Sequence, residues 1–191
     1  DETILRKVTV SKAEQTFNFT LDGRPDRVCF DPNDWVLKKL TAHKSRAEWL
    51  DQLANSTHVI CRARAVPGLA EFNKDPDVAA ALIKAAAKDA FWGVRQEAAK
   101  ALAKFPGDAS RKALLEAAKS DPKSFVRRAA VKSLAGFGHD ETRTALRQVV
   151  KSDRSYETVA EALRSLVKVD RAGCRDDLVA GLGVHIQEYG F

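Results

Sequence analysis

The chain has 191 residues, 45% hydrophobic and 30% charged, with a formal net charge of +6. That length allows one or two domains around a real core, and no run of about 18 apolar residues is present to cross a membrane as a helix. Thirty-two basic residues face 26 acidic ones, so the surface is of mixed sign, which argues against nucleic acid as the main partner.

The first 44 residues read with a period of two. Lys7-Val8-Thr9-Val10 and Thr16-Phe17-Asn18-Phe19-Thr20-Leu21 alternate, with Ser11 to Gln15 as a hairpin connection. Asp22-Gly23 signals a turn, and Val28-Cys29-Phe30 follows as another short strand. Residues 1–44 are therefore expected to form a small antiparallel β segment, too short to fold alone. Cys29, Cys61 and Cys174 are scattered without C-x-x-C spacing and are expected to be small buried hydrophobes, neither a zinc site nor a disulfide framework. There is no methionine, so Asp1 is expected to be an internal position of a longer product.

From Ser45 the period changes to that of a helix, and a repeat emerges. The blocks beginning at His58, Phe91, Lys123 and Tyr156 align in four columns. Cys61, Val94, Val126 and Thr158 fill the first; Ala65, Ala98, Ala130 and Ala162 the second. Leu69, Leu102, Leu134 and Leu166 fill the third, and Phe72, Phe105, Phe137 and Val169 the fourth. Within a copy they fall at i, i+4, i+8 and i+11, one stripe of an α-helix.

A preceding helix carries Trp49, Leu82, Leu114 and Leu146, then Leu53, Ala86, Ala118 and Val150; Leu178 and Leu182 continue both columns. Ser45-Arg46-Ala47-Glu48 has the spacing of a capping box. Asp75-Pro76 and Asp121-Pro122 each place a capping Asp before a proline at the first helical position. Ser56, Asp89, Asp121 and Asp153 stand between the two helices of each unit and are expected to cap the second helix, while Pro67 is expected to kink one.

A unit of this size cannot bury its apolar face alone and must stack on its neighbours. Residues 45–191 are thus expected to be an α-solenoid of four to five two-helix repeats, resembling HEAT repeats from about Ser45 to Leu182. Arg62, Arg95 and Arg127 follow the first column, and the fourth unit has Val159 instead. Because their spacing repeats with the fold, these arginines are expected to form a structural ladder with Asp89, Asp121 and Asp153 rather than to contact a ligand.

The order Thr16-Phe17-Asn18-Phe19-Thr20-Leu21, Arg24-Pro25, Val28-Cys29-Phe30-Asp31-Pro32 and Trp35-Val36-Leu37-Lys38-Lys39-Leu40, followed by an all-helical tail, also resembles the aminopeptidase N family of zinc metallopeptidases at its non-catalytic end. In that family a β-sandwich follows the catalytic domain and runs into a helical-repeat C-terminal domain. The resemblance implies that residues 1–44 close such a sandwich, and that upstream domains of the same polypeptide are the partners. The helical wall would cap the cavity of a zinc-bearing parent and restrict its peptide substrate to chain ends and short chains.

No catalytic or metal residue of that family transfers. His43, His58, His139 and His185 lie at least 15 residues apart, so no H-E-x-x-H helix can form, and no zinc or other cofactor is expected in this chain. There is no G-x-S-x-G elbow, phosphate loop or G-x-G-x-x-G, and His139-Asp140-Glu141 is followed by Arg143 where a second ligand would stand. The alternative function is a HEAT-like protein-interaction scaffold in its own right. A third reading, nucleic-acid binding, would use Lys123, Arg127, Arg128 and Lys132, with Trp92 and Tyr156 as stacking aromatics interrupted by Ser124.

Overall fold

A computed structural model describes residues 3–179. Eight α-helices follow one another: α1 Arg46–Asn55, α2 Val59–Leu69, α3 Pro76–Lys88, α4 Trp92–Ala101, α5 Asp108–Ser120, α6 Ser124–Leu134, α7 Asp140–Ser152 and α8 Tyr156–Val169. A 3-10 turn, Leu102–Lys104, finishes α4, and residues 175–179 are again helical. Leu182, His185 and the rest of the C-terminus lie outside the described residues.

The helix starts follow from local chemistry. Ser45 and Glu48 close a reciprocal capping box on α1. At α3, Asp75 accepts from the N–H groups of Asp77 and Val78, at 2.9 and 3.2 Å, ahead of Pro76. Pro67 falls in the last turn of α2, which continues to Leu69. Gly107, at φ 152°, makes the turn into α5 that a side chain would strain.

One expected cap is corrected. Ser56, Asp89, Asp121 and Asp153 close the C-termini of α1, α3, α5 and α7 and do not cap the second helices. The Asp89, Asp121 and Asp153 carboxylates instead accept from the N–H groups of Phe91, Lys123 and Ser155, two residues on, at 2.8–2.9 Å. This is the local Asx-turn bond that short carboxylates favour. Pro122 consequently sits in a turn, and α6 starts two residues later than the Asp-Pro signal implied.

The second helices form the spine. Every residue of the first three columns, from Cys61 to Leu166, has zero exposure. Phe105 and Phe137 of the fourth column are buried as well, while Phe72 and Val169 are half-buried. Alanine in the second column lets neighbouring backbones approach. The second helices pack tightly on one another, and the first helices α1, α3, α5 and α7 are spread outside them. Burial of the apolar stripe is thus shared between repeats, as a solenoid requires. The α-solenoid architecture is what the structure shows.

Residues 3–44 contain no strand. Their one backbone-to-backbone hydrogen bond runs from the Asp34 N–H to the Asp31 carbonyl. Alternation gives a segment two faces, but a strand forms only where a second strand pairs with it, and none does here. Trp35 and Leu37 are left 84% and 102% exposed.

The segment lies against the first repeat through side chains. Arg27 pairs with Asp51 at 2.5 Å and donates to the Asn55 carbonyl at 2.9 Å. Arg64 of α2 donates to the Phe30 carbonyl at 2.6 Å and pairs with Asp34, and Lys44 donates to the Val28 carbonyl. Cys29 and Cys61 form a disulfide, with Cα atoms 6.2 Å apart. The expectation that all three cysteines are unpaired hydrophobes therefore fails for two and describes the buried thiol of Cys174. Sequence spacing cannot reveal such a bridge, because its two ends meet only after the segment folds back on α2.

Candidate functional site

The most regular polar feature is a ladder along the turns inside the repeats. Arg62 grips Asp89 with Nε and Nη2, at 2.8 and 3.1 Å, while Nη1 donates to the Ser56 carbonyl at 3.0 Å. Arg95 does the same with Asp121, at 2.7 and 3.1 Å, and with the Asp89 carbonyl at 2.9 Å. Arg127 grips Asp153 at 2.7 and 2.8 Å and the Asp121 carbonyl at 2.9 Å. Each guanidinium ties its own turn to the aspartate of the next repeat. In the fourth repeat Val159 takes the position and is buried, so the ladder ends there.

These pairs are nearly dry, with side-chain exposures of 11–15% for the arginines and 5–9% for the aspartates. The hydrogen bonds they donate to the aspartates raise the pKa of all three guanidinium groups against the pull of burial. Burial alone would push the Asp153 carboxyl up, but the Arg127 hydrogen bonds, the Ser155 N–H and the nearby positive charge together hold it below the usual value. A bidentate, nearly dry pair is a rigid clamp, and its Nε, Nη1 and Nη2 groups all donate.

The carboxylates next to His139 are exposed and in ion pairs. Asp140 pairs with Arg143, and Glu141 with Arg111, so both carboxylates of His139-Asp140-Glu141 face arginines. Among the described residues, no three His, Cys, Asp or Glu side chains converge as a metal site would require.

The basic run also divides. Arg127 belongs to the ladder and Arg128 pairs with Glu157, while Lys123 and Lys132 are exposed. Beside it lies an aromatic row that column alignment alone misses. The Trp92 ring stacks on Phe125 across the α4–α6 boundary, with centroids 5.2 Å apart, and Phe91 tilts against Trp92 at 5.5 Å. Ser124 does interrupt the column of Trp92 and Tyr156, but Phe125, one residue further on, restores the row. An open groove runs alongside between α5 and α7, lined by Leu115, Glu116, Ala145 and Gln148 and floored by the Asp121 and Asp153 turns.

A family profile described as HEAT repeats matches residues 47–135 and 112–183. The chain belongs to the HEAT-repeat family. A solved structure titled as the complex of CpcE and CpcF of phycocyanin lyase from Nostoc sp. PCC7120 shares the fold of this HEAT-repeat protein with a TM-score of 0.54. At 15% sequence identity that likeness concerns the fold alone, and it covers 76% of this chain and 72% of the other. No curated protein sequence matches the chain significantly.

These findings overturn the aminopeptidase N reading. The matched family is HEAT repeats, the structural likeness is to a phycocyanin lyase complex, and the residues that suggested a sandwich margin form no strand. The role of a wall over a zinc peptidase cavity goes with it, as do the partners placed upstream in the same polypeptide. The likeness arose from short turn and strand signals, Phe30-Asp31-Pro32 and Trp35-Val36-Leu37, which many unrelated chains can carry.

Proposed function

We propose that this HEAT-repeat protein is a non-catalytic scaffold that binds a protein partner along its stacked repeats and needs no metal or other cofactor to do so. The observation that carries this reading is the use made of its recurring charges. Arg62, Arg95 and Arg127 are occupied in fixing one repeat to the next, so the array is a stiff surface whose recurring charges serve its own stacking. A pre-stiffened surface loses little conformational freedom on binding, which favours association with another folded or extended chain. The structural neighbour, titled as a complex of two proteins, is in keeping with this.

In-cell chemical cross-linking followed by purification and mass spectrometry tests it. The expected result is a stoichiometric protein partner cross-linked to lysines within residues 46–179. Recovery as an uncross-linked monomer overturns the reading.

A further inference from the structure

The turn edge of the second, third and fourth repeats carries an exposed apolar row. Phe91, Phe125 and Tyr156 are 38%, 45% and 46% exposed, and Trp92 stacks between the first two. None of these rings belongs to the buried columns, so core packing does not account for them. Large aromatic side chains held against one another on a rigid edge lose little freedom on binding and dominate contact energies where they are covered.

The charge of this edge is one-sided. Its aspartates, Asp89, Asp121 and Asp153, are neutralised within the ladder, and Glu157 is held by Arg128, which also lies over the Phe125 ring at 5.7 Å. Among the described residues no carboxylate pairs with Lys88 or Lys123, which flank the rings in the same turns. The row therefore presents apolar rings within a net positive border.

We propose that Phe91, Trp92, Phe125 and Tyr156, bordered by Lys88 and Lys123, form the docking surface for an acidic polypeptide segment that carries aromatic or aliphatic side chains. Acidic groups of the partner face the lysines, and its apolar side chains cover the ring edges. Nucleic acid fits less well. The guanidinium groups best shaped for phosphate, Arg95 and Arg127, are locked in bidentate pairs, and the Trp92 face that a base would stack on is already covered by Phe125. The proposal rests on the scaffold reading and gives it a place and a partner chemistry.

Panning a random 12-residue peptide library on the intact protein tests it, with the selected peptides then measured by fluorescence anisotropy. The expected winners are rich in Asp and Glu together with Phe, Trp or Leu. Phe125→Ser and Lys123→Glu, both at exposed positions, are each expected to weaken them on the order of tenfold with the thermal melt retained. Neutral or basic winners, winners indifferent to both substitutions, or no enrichment overturn the proposal. So does a 16-nucleotide oligo(dT) that binds and loses its affinity through the same substitutions. If the cross-linking above yields a partner whose binding survives both substitutions, the surface is wrong and the scaffold reading stands; if it yields none, both fall.

Discussion

Asp121 serves two neighbours at once: its carboxylate takes the Arg95 fork from the preceding repeat and the Lys123 N–H of its own turn. Removing it leaves a guanidinium of 11% exposure without its counter-charge, and that loss costs more than the pair contributes. Asp121→Ala is expected to destabilise the protein by about 2–3 kcal/mol in urea unfolding, whereas Arg95→Met combined with Asp121→Leu is expected to recover most of the loss. A double variant no better than the single one would show that the loss comes from the hydrogen bonds Asp121 accepts, the Lys123 N–H among them, and not from the orphaned Arg95 charge. Glu48 makes a different test. The Ser45 hydroxyl, the Ser45 N–H and Arg24 hold its carboxyl at about 2, against an ordinary value of 4.5. Because the folded value is the lower one, the stabilisation is fully present above pH 4.5 and fades as the pH falls towards 2. Glu48→Gln is therefore expected to be less stable than the parent at neutral pH and equal to it near pH 2, as thermal melts across that range would register.

Between elements, the first repeat shows how closely two helices are fitted. Gly68 of α2 faces the indole of Trp49 in α1, and a Cβ there would clash with its Cε2, Cδ2 and Nε1 atoms. Gly68→Ala would gain about 1 kcal/mol of helix propensity, but displacing a ring that is only 8% exposed costs more. The net expectation is a loss of about 1–2 kcal/mol in urea unfolding; a more stable variant would show that Trp49 can move aside freely. Helices of this kind were legible in the sequence because a stripe such as Val94, Ala98 and Leu102 is written by burial, and burial repeats with each unit. The turns between them were less so. A short carboxylate before a helix can cap it or bond its own turn, and the sequence looks alike in both cases. Asp89, Asp121 and Asp153 take the second option because the next repeat's geometry brings an arginine to them, which local pattern cannot register. The aromatic row escaped column alignment for a related reason: Phe125 reaches Trp92 from the adjacent register position.

Across the whole molecule, the solenoid and its leading segment are held by different physics. The repeats share one apolar stripe, while residues 3–44 carry exposed apolar side chains and are attached by a disulfide and a few polar contacts at α1 and α2. Period-two alternation misled about the structure of this stretch, since pairing is a property of two strands and the sequence displays only one at a time. The Cys29–Cys61 bridge closes a loop across a sequence separation of 32 residues, for which chain entropy allows a stabilisation of about 3–4 kcal/mol at most. Cys61 fills a core column, so the informative substitution is Cys29→Ser, which opens the bridge and leaves the core volume unchanged. Trypsin is expected to cut this variant faster than the parent at Arg27 and Lys44, and to cut the dithiothreitol-treated parent at the same faster rate, while the helices from α3 onward resist equally in all three. Unaltered cleavage at those sites would mean that the Arg27, Arg64 and Lys44 contacts hold the segment by themselves, and loss of resistance throughout would mean that the first repeat, once loosened, takes the stacked array with it.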